Sequence, residues 1–235
     1  MCIRDSYKGG DVEHGEPADY FGTIHKGGAI VPILITYLLL VIIFSIERFI
    51  VIGKASGTSS VDAFVKRIQA FLNTGNIDAA VAECDKQKGS VANVIKAGLR
   101  KYREMEAEPG LDVDQKSLAI QKDIEEATAL EMPMLEQNLT IIATLVSIGT
   151  LTGLLGTVRG MIVAFQAMGQ SGAASSSQLA AGISEALINT AIGILTSCLS
   201  IIMYNIFTSK IDKLTYAIDE TGFSIVQTFA ASHKR

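Results

Sequence analysis

Three long apolar stretches alternate with polar, charged segments along this chain. They lie at about 28–46, 139–162 and 179–207. Each is close to the roughly 20 helical residues that cross the hydrocarbon core of a bilayer. The pattern therefore predicts an all-α integral membrane protein with three transmembrane helices.

The same pattern divides the chain into seven segments. We expect them to be a polar N-terminal segment at 1–27, transmembrane helix 1 at 28–52, a cytoplasmic helical region at 53–138, transmembrane helix 2 at 139–162, a periplasmic loop at 163–178, transmembrane helix 3 at 179–207 and a cytoplasmic C-terminal helix at 208–235.

Between and after the spans, apolar residues recur every three or four positions, which is typical of packed helices. The spacing predicts short helices at 61–72, 77–86 and 91–103. A longer pattern starts near Val113 and runs into the second span, with a kink expected near Pro133. The third span likewise continues as a helical stripe beyond the apolar stretch. Two such extensions predict a cytoplasmic helical bundle.

The placement of Lys and Arg predicts the orientation. Twelve lie between spans one and two, four follow span three, and none lies within 163–178. Cytoplasmic loops carry an excess of Lys and Arg. We therefore expect a periplasmic N-terminus, a cytoplasmic middle region and a cytoplasmic C-terminus.

Composition narrows the function classes. The chain is 49% hydrophobic and 19% charged, below the roughly 25% of soluble domains. Its net charge of −4 comes without a basic stripe, so we expect no nucleic-acid partner. Cys2, Cys84 and Cys198 are scattered, which favours neither disulfides nor a metal site. We expect no catalytic residues, no metal, no cofactor and no enzymatic activity.

The second span carries a stripe of glycines at a spacing of four, three and four: Gly149, Gly153, Gly156 and Gly160. Small residues in such a row allow helix backbones to approach closely in lipid. The stripe is explained either by a contact with the third span of the same chain or by oligomer formation around a shared pore, and the two are compatible.

The third span has one polar face. At about 100° per residue, Asn189, Thr190 and Thr196 fall within about 140° of Glu185. An acid in hydrocarbon costs roughly 2.5–3.5 kcal/mol on the lenient insertion scale, so it indicates a function or a partner. By the predicted topology Arg159 lies near the same outer end. We therefore expect Arg159 and Glu185 to form an ion pair or to share water.

The motifs FSIERF at 44–49, GSVANVIKAGLRKY at 89–102, GLLGTVRGMIVAF at 153–165 and ISEALINTAIG at 183–193 resemble the MotA/TolQ/ExbB proton-channel family. The resemblance covers about Gly28 to Tyr216, and the combination of the last two motifs is specific. Three spans favour the ExbB/TolQ branch over the four-span flagellar branch.

The resemblance implies a bacterial inner-membrane proton channel. Its expected form is a homopentamer that encloses a dimer of an ExbD- or TolR-like single-span protein, and the enclosed chain's intramembrane Asp carries the proton. Thr157 and Thr190 match the family's pathway threonines, and Glu185 matches its third-span glutamate. Arg159 occupies a variable position of the motif. Asn189 and Thr196 join the expected lining because of the polar face alone.

The expected role is that of an ExbB-like stator subunit that works with a TonB-like protein in outer-membrane import. A TolQ-like subunit of a Tol-Pal-type envelope system is an alternative, and a non-conducting scaffold for a single-span partner is another. A solute transporter is a weaker interpretation, since three spans give no inverted repeat. The segment GLLGTVRG lacks the Lys-Ser/Thr of a phosphate-binding loop.

Overall fold

The fold is known from a computed structural model, which describes residues 28–171 and 176–233. The expected polar segment at 1–27 lies outside the described residues, as do residues 172–175 of the expected loop and the last two residues.

All regular structure in the described ranges is helical. A single 3₁₀ turn at Gly28–Ile30 leads into the first of seven α-helices. They are α1 (Val31–Ala55), α2 (Val61–Asn73), α3 (Ile77–Gln87), α4 (Gly89–Ala107), α5 (Val113–Glu136), α6 (Leu139–Ser171) and α7 (Ser176–His233).

Three stretches of helix are long and apolar enough to cross a membrane. The all-α prediction is confirmed, and the chain is a multi-pass membrane protein. Helix α7 has 58 residues and is therefore roughly 87 Å long, whereas the hydrocarbon core is about 30 Å thick. Much of α7 must lie outside the hydrocarbon, as the helical stripe predicts.

Polar side chains start the short helices at the positions where the apolar pattern begins. The Ser60 hydroxyl accepts a hydrogen bond from the backbone N–H of Ala63, and the Asn76 side chain accepts one from Ala79 at 3.0 Å. Such caps satisfy N–H groups that have no partner within the helix. The helices predicted at 61–72, 77–86 and 91–103 are confirmed, with α4 two residues longer at its start and four at its end.

The described chain forms two compact units. The first contains residues 28–45, 140–171 and 176–204, and the second contains residues 46–139 and 205–233. In the second unit, α5 approaches α4 closely because Gly98 has no side chain: a Cβ there would lie 2.6 Å from Ile124 Cγ1. Tyr102 packs edge-on against Phe229, with ring centroids 4.9 Å apart.

The kink predicted near Pro133 takes the form of a break between two helices, a few residues further along the chain. Helix α5 continues through Pro133 to Glu136, and the chain breaks at Gln137 and Asn138, where Asn138 has a φ of +64°. Asparagine is among the few residues that adopt this left-handed conformation readily. The result is a break between two helices rather than a bend within one.

The Arg48 side chain, which is 1% exposed, caps the end of α5 at this break. Its Nη1 donates to the carbonyl oxygens of Met134 at 3.1 Å and Leu135 at 3.3 Å, among the last carbonyls of α5. Its other nitrogens bond to the Glu47 carboxylate, which also accepts from the Asn138 amide at 3.0 Å. A cation at a helix C-terminus is favourable because that end of the helix carries partial negative charge.

The helices around the second connection are longer than predicted. Residues 163–178 were expected to form a loop, but α6 extends to Ser171 and α7 begins at Ser176. The segment after Ile162 contains Val, Ala, Phe, Gln and Met, which are compatible with a continuing helix. It lacks the long apolar run that marks the second span in the sequence.

Replacing Arg48 with Leu should strongly destabilise the second unit. The change removes the donor to the two helix-end carbonyl oxygens, of which that of Leu135 is buried, and to the Glu47 carboxylate, whose side chain is 39% exposed. Leaving a buried acceptor unsatisfied costs about 1–3 kcal/mol. Thermal unfolding of the purified protein in detergent, followed by circular dichroism, measures the loss. Arg103→Leu is the control, because Arg103 pairs with Asp78 at the surface and exposed pairs contribute about 0–1 kcal/mol. Equal losses in the two variants would contradict the capping role.

Candidate functional site

The glycine stripe of α6 packs directly against α7 within the first unit. A Cβ on Gly193 of α7 would lie 2.7 Å from the carbonyl oxygen of Gly149 and 2.9 Å from the Cα of Gly153. One on Gly160 would lie 2.8 Å from the carbonyl oxygen of Gly182. Partners of rising number on α6 have falling numbers on α7, so the two helices run antiparallel with their backbones in contact.

This contact corresponds to the first of the two explanations for the stripe, a contact with the third span of the same chain. A Cβ at Gly149, Gly153, Gly156 or Gly160 would lie within 3.1 Å of an atom of α7. The four residues therefore hold two helices of one subunit together. A role in assembly between subunits stays a prediction and would involve other faces of these helices.

A short hydrogen-bond chain joins the same helices. The Ser197 hydroxyl donates to the carbonyl oxygen of Val146 at 2.6 Å and accepts from the Thr150 hydroxyl at 2.8 Å. Ser197 lies on the polar face of the third span, where the sequence pattern shows it. Nothing in the sequence marked Thr150, because its role arises only when α7 lies beside it.

The two candidate pathway threonines are half-buried and bond to their own helices. Thr157 donates to the carbonyl oxygen of Leu154 at 2.6 Å, and Thr190 donates to that of Ala186 at 3.2 Å. Each hydroxyl oxygen keeps capacity to accept a further hydrogen bond. Thr157 also lies in an open groove of about 620 Å³ along α6, which is otherwise lined by Val158, Met161, Ile162, Phe165 and Gln166.

The structure buries two of the other expected lining residues. Asn189 and Thr196 are both 0% exposed. Thr196 donates to the carbonyl oxygen of Ile192 at 2.9 Å, whereas neither polar atom of the Asn189 amide has a hydrogen-bond partner. Their part in a pathway stays a prediction, and it would have to be exerted from inside the subunit.

The expected pair of Arg159 and Glu185 is present. Arg159 Nη1 lies 3.7 Å from Glu185 Oε1, with the Arg side chain 47% exposed and the Glu side chain 21% exposed. The Glu185 carboxylate also lies against Gly28, whose φ of +73° favours glycine and whose Cβ would collide with that carboxylate. Glu185 thus contacts α6 and the turn that precedes α1 at one end of the first unit.

Charged groups are rare in this unit. Among its described residues, Glu185 is the one carboxylate and Arg159 the one Lys or Arg. No group of three His, Cys, Asp or Glu side chains in the described ranges could hold a metal ion. In α3, burial raises the pKa of the Cys84 thiol to about 12, so this cysteine stays protonated and unreactive near neutral pH.

The fold and this arrangement define a multi-pass α-helical membrane protein whose tightly packed spans carry hydroxyl and amide groups. The sequence profile of the MotA/TolQ/ExbB proton channel family matches residues 86–220, more than half of the chain. The chain belongs to this family. The matched segment includes the glycine stripe, Thr157, Thr190 and Glu185.

Individual relatives carry two kinds of name. The Tol-Pal system protein TolQ of Pseudomonas aeruginosa is 28% identical over 155 residues, 66% of this chain and 67% of that protein. The biopolymer transport protein ExbB of Xanthomonas campestris pv. campestris is 31% identical over 116 residues, 49% of this chain and 46% of that protein. The putative biopolymer transport protein ExbB-like 3 of Synechocystis sp. is 36% identical over 88 residues, 37% of this chain and 42% of that protein.

The matched part is thus about two thirds of the TolQ relative and less than half of the other two proteins. Both names belong to the ExbB/TolQ branch, so the chain falls within this branch of the family. The relatives do not distinguish the two systems.

The contact between Arg159 and Glu185 should appear as an energetic coupling. We expect Arg159→Leu and Glu185→Leu each to lower the thermal stability of the assembled protein, and the double variant to lose less than the sum of the two. Since both side chains are partly exposed, the coupling should be about 0.5–1 kcal/mol. Strictly additive losses would argue against the pair. Lys210→Leu, at an exposed position of α7 in the second unit, is a control that should show no coupling to Glu185→Leu.

Proposed function

We propose that this chain is the channel subunit of a bacterial inner-membrane complex that uses proton flow to drive work in the cell envelope. The preferred form is an ExbB-ExbD-TonB-like complex for outer-membrane import. The observation that carries the proposal is the position of Thr157 and Thr190: both lie half-buried on the α6–α7 pair, inside the segment that matches the proton-channel family.

The proton pathway needs a titratable group, which the threonines of the first unit do not provide. Threonine does not titrate near neutral pH, but its hydroxyl can hold a water molecule or bond to a nearby carboxyl group. Glu185 is the one carboxylate in the described part of the unit and already faces Arg159. The proposal therefore assigns proton carriage to an intramembrane Asp on a dimer of ExbD- or TolR-like single-span helices, enclosed by five copies of this chain.

Orientation is part of the same proposal. The excess of Lys and Arg between the first two spans and after the third supports a periplasmic N-terminus and a cytoplasmic C-terminus. A TolQ-like role in a Tol-Pal-type system is supported equally, because relatives of both names match the chain. The choice between the systems depends on which partner the chain binds.

A non-conducting scaffold is the second candidate function, and one observation favours it. Both candidate threonines donate to carbonyl oxygens of their own helices. Many threonines in membrane helices make such bonds without any further role.

Replacing the threonine hydroxyls separates the two functions. Thr157→Val and Thr190→Val keep the side-chain shape but remove the only group that can bond to water or to a carboxyl group. We expect each to reduce proton-driven activity about tenfold or more while assembly stays normal, because the loss of one hydrogen bond to a charged group costs roughly 1.5–3 kcal/mol. Proton flux into liposomes that contain the purified complex measures the effect.

Thr144→Val is the matched control for this experiment. Thr144 lies on α6 as well and donates to its own helix at Thr140, but it lies 13 positions away from Thr157. Its replacement should leave the flux unchanged. Full flux in both pathway variants would favour the scaffold.

The composition of the complex is testable directly. Native mass spectrometry of the chain co-expressed with a single-span protein from a neighbouring gene should give five copies of this chain and two of the partner. The chain expressed alone should form the ring without the dimer. A stable complex with one partner per subunit would contradict an enclosed dimer.

A further inference from the structure

The Asn189 side chain is a buried amide that no protein group satisfies. It is 0% exposed, and both Oδ1 and Nδ2 lack a hydrogen-bond partner. Buried polar groups in native proteins are almost always bonded to protein or to ordered water. An amide has two donors and an acceptor with two lone pairs, so this one has several bonds to make.

The amide points into the glycine stripe of α6. A Cβ at Gly156 would collide with the Asn189 side chain and lie 3.0 Å from its Nδ2. The missing side chain of Gly156 therefore leaves a recess into which the amide projects. The carbonyl oxygen of Asn189 also faces α6, 3.1 Å from the position of a Cβ at Gly153. Polar groups thus converge at one level of an interface that is otherwise apolar and tight.

The recess is closed on one side. At Gly193, one turn further along α7, the backbones of the two helices touch, which leaves no space for water at that level. Towards the other side lie Gly156 and its neighbour Thr157, and Asn189 itself precedes Thr190. Asn189 therefore adjoins Thr190 in sequence, and its side chain packs against Gly156, which adjoins Thr157.

We infer that Asn189 holds an ordered water molecule at the α6–α7 interface, and that this water helps to keep the proton pathway hydrated beside Thr157 and Thr190. A buried water typically makes about three hydrogen bonds. Oδ1 and Nδ2 of the amide provide two of them. Asn189 is thus a positioning residue that acts through the water.

Cryo-electron microscopy of the full complex at a resolution that shows ordered water tests the site. The wild-type protein should have a density peak about 2.7–3.2 Å from Oδ1 or Nδ2 of Asn189. Asn189→Leu should lack the peak, whereas Asn189→Asp, whose neutral acid still donates and accepts, should keep it. A wild-type amide bonded only to protein groups, with no peak, would overturn the inference.

Proton flux tests the role of the water, and this measurement alone rests on the proposed function. Asn189→Leu should reduce the flux about five- to tenfold, the change expected from the loss of one hydrogen bond, with assembly unchanged. Asn189→Asp should restore most of it, which a purely structural role of the side chain would not predict. Ile188→Leu, at a half-buried neighbouring position, is the control.

The outcomes separate the two proposals. A water peak with unchanged flux in Asn189→Leu would overturn the role in the pathway. A wild-type complex that conducts no protons would contradict the proposed function, while the density would still decide whether Asn189 binds water.

Discussion

The contact between the backbones of α6 and α7 is the constraint on which the rest of the first unit depends. Inside a bilayer no hydrophobic force drives helices together, so close van der Waals packing and hydrogen bonds must do so. Gly149 and Gly193 meet with no side chains between them. A larger residue at Gly193 would push the helix backbones apart, and one at Gly149 would displace the Ser197 hydroxyl from its bond with Thr150.

The same contact sets the register of the two helices. Gly149 lies opposite Gly193, Gly153 opposite Asn189, and Gly160 opposite Gly182, which is one antiparallel alignment. This alignment brings Arg159 level with Glu185 and places the Asn189 amide beside Gly156. A single packing arrangement thus accounts for both the ion pair and the buried amide.

The second unit depends on a buried cationic side chain that caps the end of a helix. In the sequence, Pro133 predicts a kink because proline removes a backbone donor from a helix. The helix tolerates this loss, and the chain instead breaks where Asn138 adopts a left-handed conformation and the buried Arg48 caps the preceding carbonyls. The adjacent Glu47 and Arg48 are conspicuous in the sequence, but their neighbours at the break lie 86 to 91 positions away.

The sequence by itself determined the helices, the three apolar stretches, the family motifs, the glycine stripe and the polar face of the third span, because each is a local pattern of period or composition. Even the Arg159–Glu185 contact followed from the placement of two charges near matching ends of two spans. Only the tertiary structure decided that α7 covers the stripe, that Asn189 and Thr196 are buried, and that Arg48 holds a helix end. Periodicity defines which residues share a face of a helix. It does not define which surface packs against that face, and burial and unpaired polar groups arise only from that packing.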